Sequence, residues 1–146
     1  MEEKIFNKLY KLSKKAGKKS ESPVSAIIVN NTDNKIIAKA YNKRNKTNLT
    51  ISHAEIEVIS KANKKLKSWR LNNCTLYITM EPCAMCKSVI REARIKYVYY
   101  LIKKEPIKKQ YNKTEFNLID FLNSNDIKNK YLKDLSNFWE MRRKNK

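Results

Sequence analysis

His53, the only histidine in the chain, lies in the tripeptide His53-Ala54-Glu55, and Pro82-Cys83-Ala84-Met85-Cys86 follows after the next apolar segments. One imidazole and two thiols are donors that hold zinc, and three protein ligands leave the fourth tetrahedral position open, as at catalytic rather than structural centres. Water in an open position has its pKa lowered from about 16 to about 7, which makes hydroxide available at neutral pH. Glu55, beside the ligand set and not needed in it, is then free to move protons. The residues expected to carry chemistry are therefore His53, Cys83 and Cys86 as metal ligands and Glu55 as the acid–base group.

These side chains need elements that bring them together. Met85, Val89, Ile90 and Ala93 recur on one side of the segment from Cys83 to Arg94, which predicts a helix over 83–94. Residues i and i+3 share a helix face, so Cys83 and Cys86 can meet one ion. Pro82 favours a helix start, and the positive end of the helix dipole is expected to help keep both thiols ionised. His53 and Glu55 are two apart and would diverge within a regular helix. They can converge only where a helix begins, and Ala54 to Ile59 followed by Ala62 and Leu66 reads as that helix.

Two plainer readings compete. A lone Cys-x-x-Cys could be a redox pair, but that explains neither His53-Ala54-Glu55 nor Pro82. A closed structural zinc site would need a fourth ligand, and the only other cysteine, Cys74, begins the strand-like run Cys-Thr-Leu-Tyr-Ile-Thr-Met. Cysteine in such a run usually acts as a small hydrophobe. Three cysteines do not make a disulfide scaffold, and nothing in the chain calls for an oxidising compartment.

His-Ala-Glu followed by Pro-Cys-x-x-Cys resembles the signature of the cytidine deaminase superfamily of zinc nucleobase deaminases. Within it the chain is most similar to the bacterial tRNA-specific adenosine deaminases, through Pro23 to Val29, Tyr41-Asn42, His53 to Ile56, Trp69-Arg70-Leu71 and Thr75 to Cys86. Leu135 to Arg143 is similar to that family's tail. The resemblance implies a three-layer α-β-α fold of class α/β with a central mixed sheet and one zinc ion per chain. It also implies a homodimer, and conversion of the wobble adenosine of a tRNA anticodon loop to inosine with release of ammonia. Glu55 would handle the protons, and Asn42 would orient the base from the loop after the second strand. Phe138 and Trp139 would close the pocket, stack on neighbouring nucleotides, or simply pack on the core. The chain departs from the family's pattern with Ser25 in place of glycine and Leu49-Thr50-Ile51-Ser52 in place of Asp-Pro-Thr-Ala. Between Lys103 and Asp134 the family's fifth strand has only Asp126 to Lys130 as a weak candidate.

Length and patterning predict one domain over 1–146. Helices are expected at 3–16, 54–66 and 83–94, and again near 115–123 and 129–143. Strands are expected at 24–29, 35–41, 74–80 and 96–102. Strands that alternate with helices after an initial pair imply a mixed sheet covered by helices. No apolar run approaches the ~18–20 residues of a membrane span. Glu2 and Glu3, with the helical stripe Ile5, Phe6, Leu9, Leu12 and Ala16, argue against a signal or transit peptide, so a cytoplasmic location is expected.

Lys and Arg number 33 against 14 Asp and Glu, a net charge of +19. A bias toward Lys-rich composition would not by itself remove acidic residues, so the surplus points to a polyanionic partner. A base splayed out of its strand suits an anticodon loop better than a duplex. The alternative within the same chemistry is a deaminase of a free base or nucleoside (cytosine, cytidine or guanine), which leaves the charge unexplained. A non-catalytic zinc module that binds RNA or serves as a partner subunit would be expected to have lost the proton shuttle, yet Glu55 is present.

Overall fold

Two short apolar segments, Ser25–Asn30 (β1) and Cys74–Met80 (β3), are buried along nearly their whole length and form the middle of the sheet. A strand buried on both faces must be covered twice, and alternation of side chains decides what covers it. Ala26 and Ile28 of β1 and Cys74, Leu76 and Ile78 of β3 face one cluster, with Ala54, Val58, Ile59 and Ala62 from Ala54–Leu66 and Ile90 and Ala93 from the next helical segment. Ile27 and Val29 of β1 and Tyr77 of β3 face the other cluster, with Ile5 and Leu9 of the first helix. Ile27, Ile28, Leu76 and Ile78 are fully buried, and each such side chain contributes roughly 1.5–3 kcal/mol by leaving water.

The protein was analysed as a computed structural model that describes residues 2–105, 114–118 and 125–145. The chain divides into two compact units, Met1–Pro106 and Ile107–Lys146. The first holds α1 (Glu2–Lys18), β1, β2 (Ile36–Tyr41), α2 (Arg44–Thr47), α3 (Ala54–Leu66), β3, α4 (Ala84–Glu92) and β4 (Tyr97–Ile102). Its strands lie in the order β2-β1-β3-β4. β1 pairs antiparallel with β2 and β3, and β3 pairs parallel with β4. A parallel pair needs a crossover, and α4 supplies it. With α1 on one face and α3 and α4 on the other, the unit is the expected three-layer α-β-α sandwich around a mixed sheet.

Local chemistry accounts for the joints. Glu2 and Glu3 stand in the first turn of α1 and Lys15 and Lys18 in its last, matching the helix dipole. In a chain with one glycine, left-handed turns fall to other residues, among them Asn34 (φ 57°) and Asn48 (φ 56°), a side chain that tolerates this region better than most. Ser25 is fully buried and donates its hydroxyl hydrogen bond to the Leu9 carbonyl at 2.6 Å, which ties β1 to α1.

Expected and observed elements agree closely in the first unit, with shifts of one or two residues at most ends. The exception is α2, a single turn that the sequence did not predict. In the second unit α5 (Asn125–Lys144) contains the expected 129–143 helix. The weak strand candidate Asp126 to Lys130 is corrected: these residues belong to α5. Ile127, Tyr131 and Leu135 recur there at four-residue spacing, a helical period that outweighs the short local reading. Residues 115–118 of the expected 115–123 helix carry no regular structure, and the remainder lies outside the described residues.

Candidate active site

Two helix starts converge on one point. His53 is the N-cap of α3, with extended backbone (φ −73°, ψ 155°), and Cys83 is the N-cap of α4 (φ −69°, ψ 171°). An N-cap residue is still outside the helix, so its side chain can turn across the helix mouth. This brings His53 beside Glu55 in spite of their two-residue spacing. Pro82 sits one place before the cap, at the helix start it was expected to favour.

The donors are gathered as their spacing predicted. His53 Nδ1 lies 3.7 Å from Cys83 Sγ and 3.5 Å from Cys86 Sγ, and all three donor atoms fall within 4.8 Å of one another. Zinc bound tetrahedrally with usual bond lengths separates a nitrogen from a sulfur by about 3.6 Å. The residues thus fit the ion. Cys74 is buried in β3 among apolar side chains and stands outside this group, so the closed four-ligand reading finds no support among the described residues.

Electrostatics point the same way. Without a metal, the surroundings of Cys86 favour its neutral thiol. Burial first, and then the Glu55 carboxyl and the Cys83 thiol, raise the Cys86 pKa far above the ordinary thiol range. Two sulfurs and a carboxylate crowded in a dry site need a cation to coexist in charged form, and a divalent metal deprotonates a coordinating thiol outright. Burial, helped by Arg44 and Lys104, lowers the His53 pKa, which favours the neutral, metal-binding imidazole.

Glu55 is 4 % exposed, and burial raises its carboxyl above the ordinary range, although its own backbone and Cys86 pull the other way. A carboxyl raised in this manner holds a proton more readily than an exposed one, as an acid–base group must. Its neighbour Glu57 is only half-buried, and its backbone N–H donates to the His53 carbonyl.

A cavity of about 330 Å³ opens onto this group, lined by Asn42, His53, Glu55 and Cys83 on its polar side and by Pro23, Val24 and Met80 among others. That volume is at the small end for ligand sites, in keeping with one flat base. Asn42, from the loop after β2, is buried in the wall, where the family resemblance placed it. Arg44 and Lys104 also line the cavity, and neither was singled out from the sequence. Lys104 is held by its backbone N–H, which donates to Glu81 Oε1 at 3.4 Å, while Lys87 Nζ donates to Glu81 Oε2 at 3.2 Å. The loop carrying Leu49-Thr50-Ile51-Ser52 is fastened without proline. The Thr47 and Ser52 hydroxyls are hydrogen bonded at 2.8 Å, and the Lys43 N–H donates to the Ser52 carbonyl at 2.9 Å.

Phe138 and Trp139 lie in the second unit on α5. Both are about half exposed, with rings edge-to-face at 5.3 Å and Arg142 over the Phe138 ring.

Comparison with known proteins agrees with this geometry. The chain is 40% identical over 99 residues to the tRNA-specific adenosine deaminase of Bacillus subtilis, covering 68% of this chain and 60% of that enzyme. It is 42% identical over 82 residues to the enzyme of the same description from Rickettsia bellii, covering 56% of this chain and 57% of that one. The chain therefore spans less than two thirds of the length of these curated relatives. A structure from studies of A-to-I editing by tRNA:A34 deaminases at the wobble position is 38% identical, with a TM-score of 0.64 over 68% of this chain and 76% of that one. The X-ray structure of guanine deaminase from Bacillus subtilis is 26% identical, with a TM-score of 0.73 over 97% of this chain and 93% of that one. The family model for MafB19-like deaminases matches residues 1–140, so the chain belongs to the MafB19-like deaminase family.

Proposed function

We propose that the protein is a zinc-dependent hydrolytic deaminase that converts the wobble adenosine of a tRNA anticodon loop to inosine. The observation that carries this reading is the buried Glu55 carboxyl beside His53, Cys83 and Cys86 at zinc-ligand spacing, at the floor of a base-sized cavity. When bound there, zinc supplies a Lewis acid that makes water a nucleophile at neutral pH. Glu55 takes the proton of the attacking water and delivers it to ring N1. It then takes the second proton from the hydroxyl now on C6 and gives it to the exocyclic amine, which leaves as ammonia as the C6–N bond breaks and the C6 carbonyl forms. Asn42 orients the base. Arg44 and Lys104 place positive charge at the cavity wall, where the phosphates of an extruded nucleotide would approach.

Support for RNA as the substrate comes from the +19 net charge and from the similarity to tRNA-specific adenosine deaminases. A homodimer in the cytoplasm completes the proposal, and among the described residues no helix is long and apolar enough to cross a membrane. A second reading, deamination of free guanine, is favoured by the alignment to guanine deaminase over 97% of this chain. One experiment separates the two. Zinc-loaded protein is incubated with total tRNA, which is then sequenced for A-to-G changes at the wobble position, while ammonia release is assayed from guanine, cytosine and cytidine. Ammonia from a free base with unedited tRNA would refute the tRNA reading.

A further inference from the structure

Glu21 is a carboxylate only 5 % exposed, two residues ahead of Pro23, and it is not among the residues that handle metal or protons. It accepts three hydrogen bonds and forms no ion pair among the described residues. Oε2 receives Asn42 Nδ2 and the Asn45 backbone N–H, both at 3.1 Å, and Oε1 receives the Lys46 backbone N–H at 2.7 Å. The two backbone bonds hold the first turn of α2, the turn that carries Arg44 to the cavity. The third bond concerns the cavity itself.

We propose that Glu21 is a positioning residue that sets which end of the Asn42 amide faces the substrate. An ionised carboxylate accepts and never donates, so only the NH₂ end of Asn42 can turn toward it. The carbonyl oxygen and the second N–H are then left for the base. A freely rotating amide would present either end, because its nitrogen and oxygen are nearly the same size. By holding Asn42 and the start of α2 with one carboxylate, Glu21 also ties the base-orienting amide to the backbone of the turn that carries Arg44. The inference rests on the reading of Asn42 as the group that orients the base.

The test compares zinc-loaded wild-type protein with Glu21→Gln, Asn42→Ala and the double variant. Single-turnover deamination is measured on an anticodon stem-loop and on guanine, and the substrate that wild type turns over is used throughout. Glutamine keeps the shape but must turn its own NH₂ toward either Asn42 or a backbone N–H, so the amide end is no longer dictated. A misplaced reactant costs on the order of 10²-fold, and Glu21→Gln should lose about that in saturated rate with zinc retained. The double variant should be no slower than Asn42→Ala. Losses that multiply would mean that Glu21 acts on stability and not through Asn42. A neutral Asn42→Ala on a substrate that wild type turns over would sink the orienting role itself.

Side-chain amide NMR gives a readout that needs no turnover. The Asn42 NH₂ pair, assigned by its loss in Asn42→Ala, should show one proton protected from exchange in wild type and clearly weaker protection in Glu21→Gln, where either end of the glutamine amide can face it. An unchanged pair overturns the proposal even if the substrate proves to be neither RNA nor guanine. If Glu21→Gln folds poorly, Asn42→Asp replaces it. That variant sets two acceptors face to face and should lower Tm, and adding Glu21→Gln should restore part of the loss because a donor again faces an acceptor. Absence of that rescue also overturns it.

Discussion

Replacing Glu55 with glutamine should separate catalysis from every other property of the site. The side chain is 4 % exposed and lies against the Cys86 sulfur, so glutamine fills the same space and opens no cavity. Burial raises the Glu55 pKa, which means that the ionised carboxylate costs stability in the fold at neutral pH. The neutral amide removes that cost, and Tm of the metal-free protein should hold or rise. Zinc content should stay at that of wild type, because His53, Cys83 and Cys86 are untouched. The chemical step should nearly vanish. An acid–base group typically contributes ~10²- to 10⁴-fold, and one that handles several transfers belongs at the upper end. A 10⁴-fold loss corresponds to about 5.4 kcal/mol of transition-state stabilisation. The assay is single-turnover deamination with enzyme in excess, alongside a binding isotherm for the same RNA, and the loss should appear in rate and not in affinity. Glu57→Gln is the control, half-buried one helical step further on, and should lie close to wild type. A wild-type rate in Glu55→Gln would refute the proton-shuttle assignment. Loss of zinc would instead make Glu55 a ligand or a ligand support and close the fourth position.

Other outcomes are equally open to measurement. Metal analysis should find one zinc per chain, lost in Cys83→Ser and Cys86→Ser but kept in Cys74→Ala, and a zinc-free Cys74→Ala would move the site into the structural class. RNA binding should weaken steeply with salt, at about −0.7 in log–log slope per phosphate neutralised, so six contacts would give about −4. A flat response would leave the surplus of lysine without a nucleic-acid role. Removing either Arg44 or Lys104 should flatten that slope by about one contact and leave zinc in place, as read from the same titration. Leu76→Ala, at a fully buried position in the centre of the sheet, should lower unfolding free energy by about 2–5 kcal/mol in urea titration, and a loss under 1 kcal/mol would mean that the core there is poorly packed.

The candidate metal-binding group was legible in the sequence because coordination chemistry restricts both residue type and spacing. Two thiols three residues apart at a helix start can share an ion, and an imidazole two residues from a carboxylate can do so only at a cap. The backbone at His53 and Cys83 meets those conditions. The sheet was legible for a related reason. Alternate residues of β1 and β3 are apolar on both faces, and that demands cover on both sides. What escaped was built by long-range polar contacts. The turn α2 has no apolar period and no side-chain hydrogen bond from its own cap residue, Lys43. Its first backbone donors are satisfied by Glu21, more than twenty residues earlier in the chain. Nothing in the local sequence distinguishes Glu21 from the other acidic residues, because its role is set by what the fold brings to it. Arg44 and Lys104 escaped likewise, two cations among 33 until a cavity selects them.

Glu55 lines the cavity, whereas Glu21 touches it only through Asn42, and the environments of the two carboxylates differ accordingly. Glu55 has burial as its dominant influence, so its proton affinity rises and it can carry protons. Glu21 is equally buried and accepts three N–H hydrogen bonds, which hold it still. A donor introduced beside Glu55 would pin its charge and slow proton transfer, whereas removing donors from Glu21 would free the amide it restrains. The family's signature names the first carboxylate through its nearness to His53. Only the folded chain names the second, because the residues that define it come from the end of β2 and from a helix one turn long.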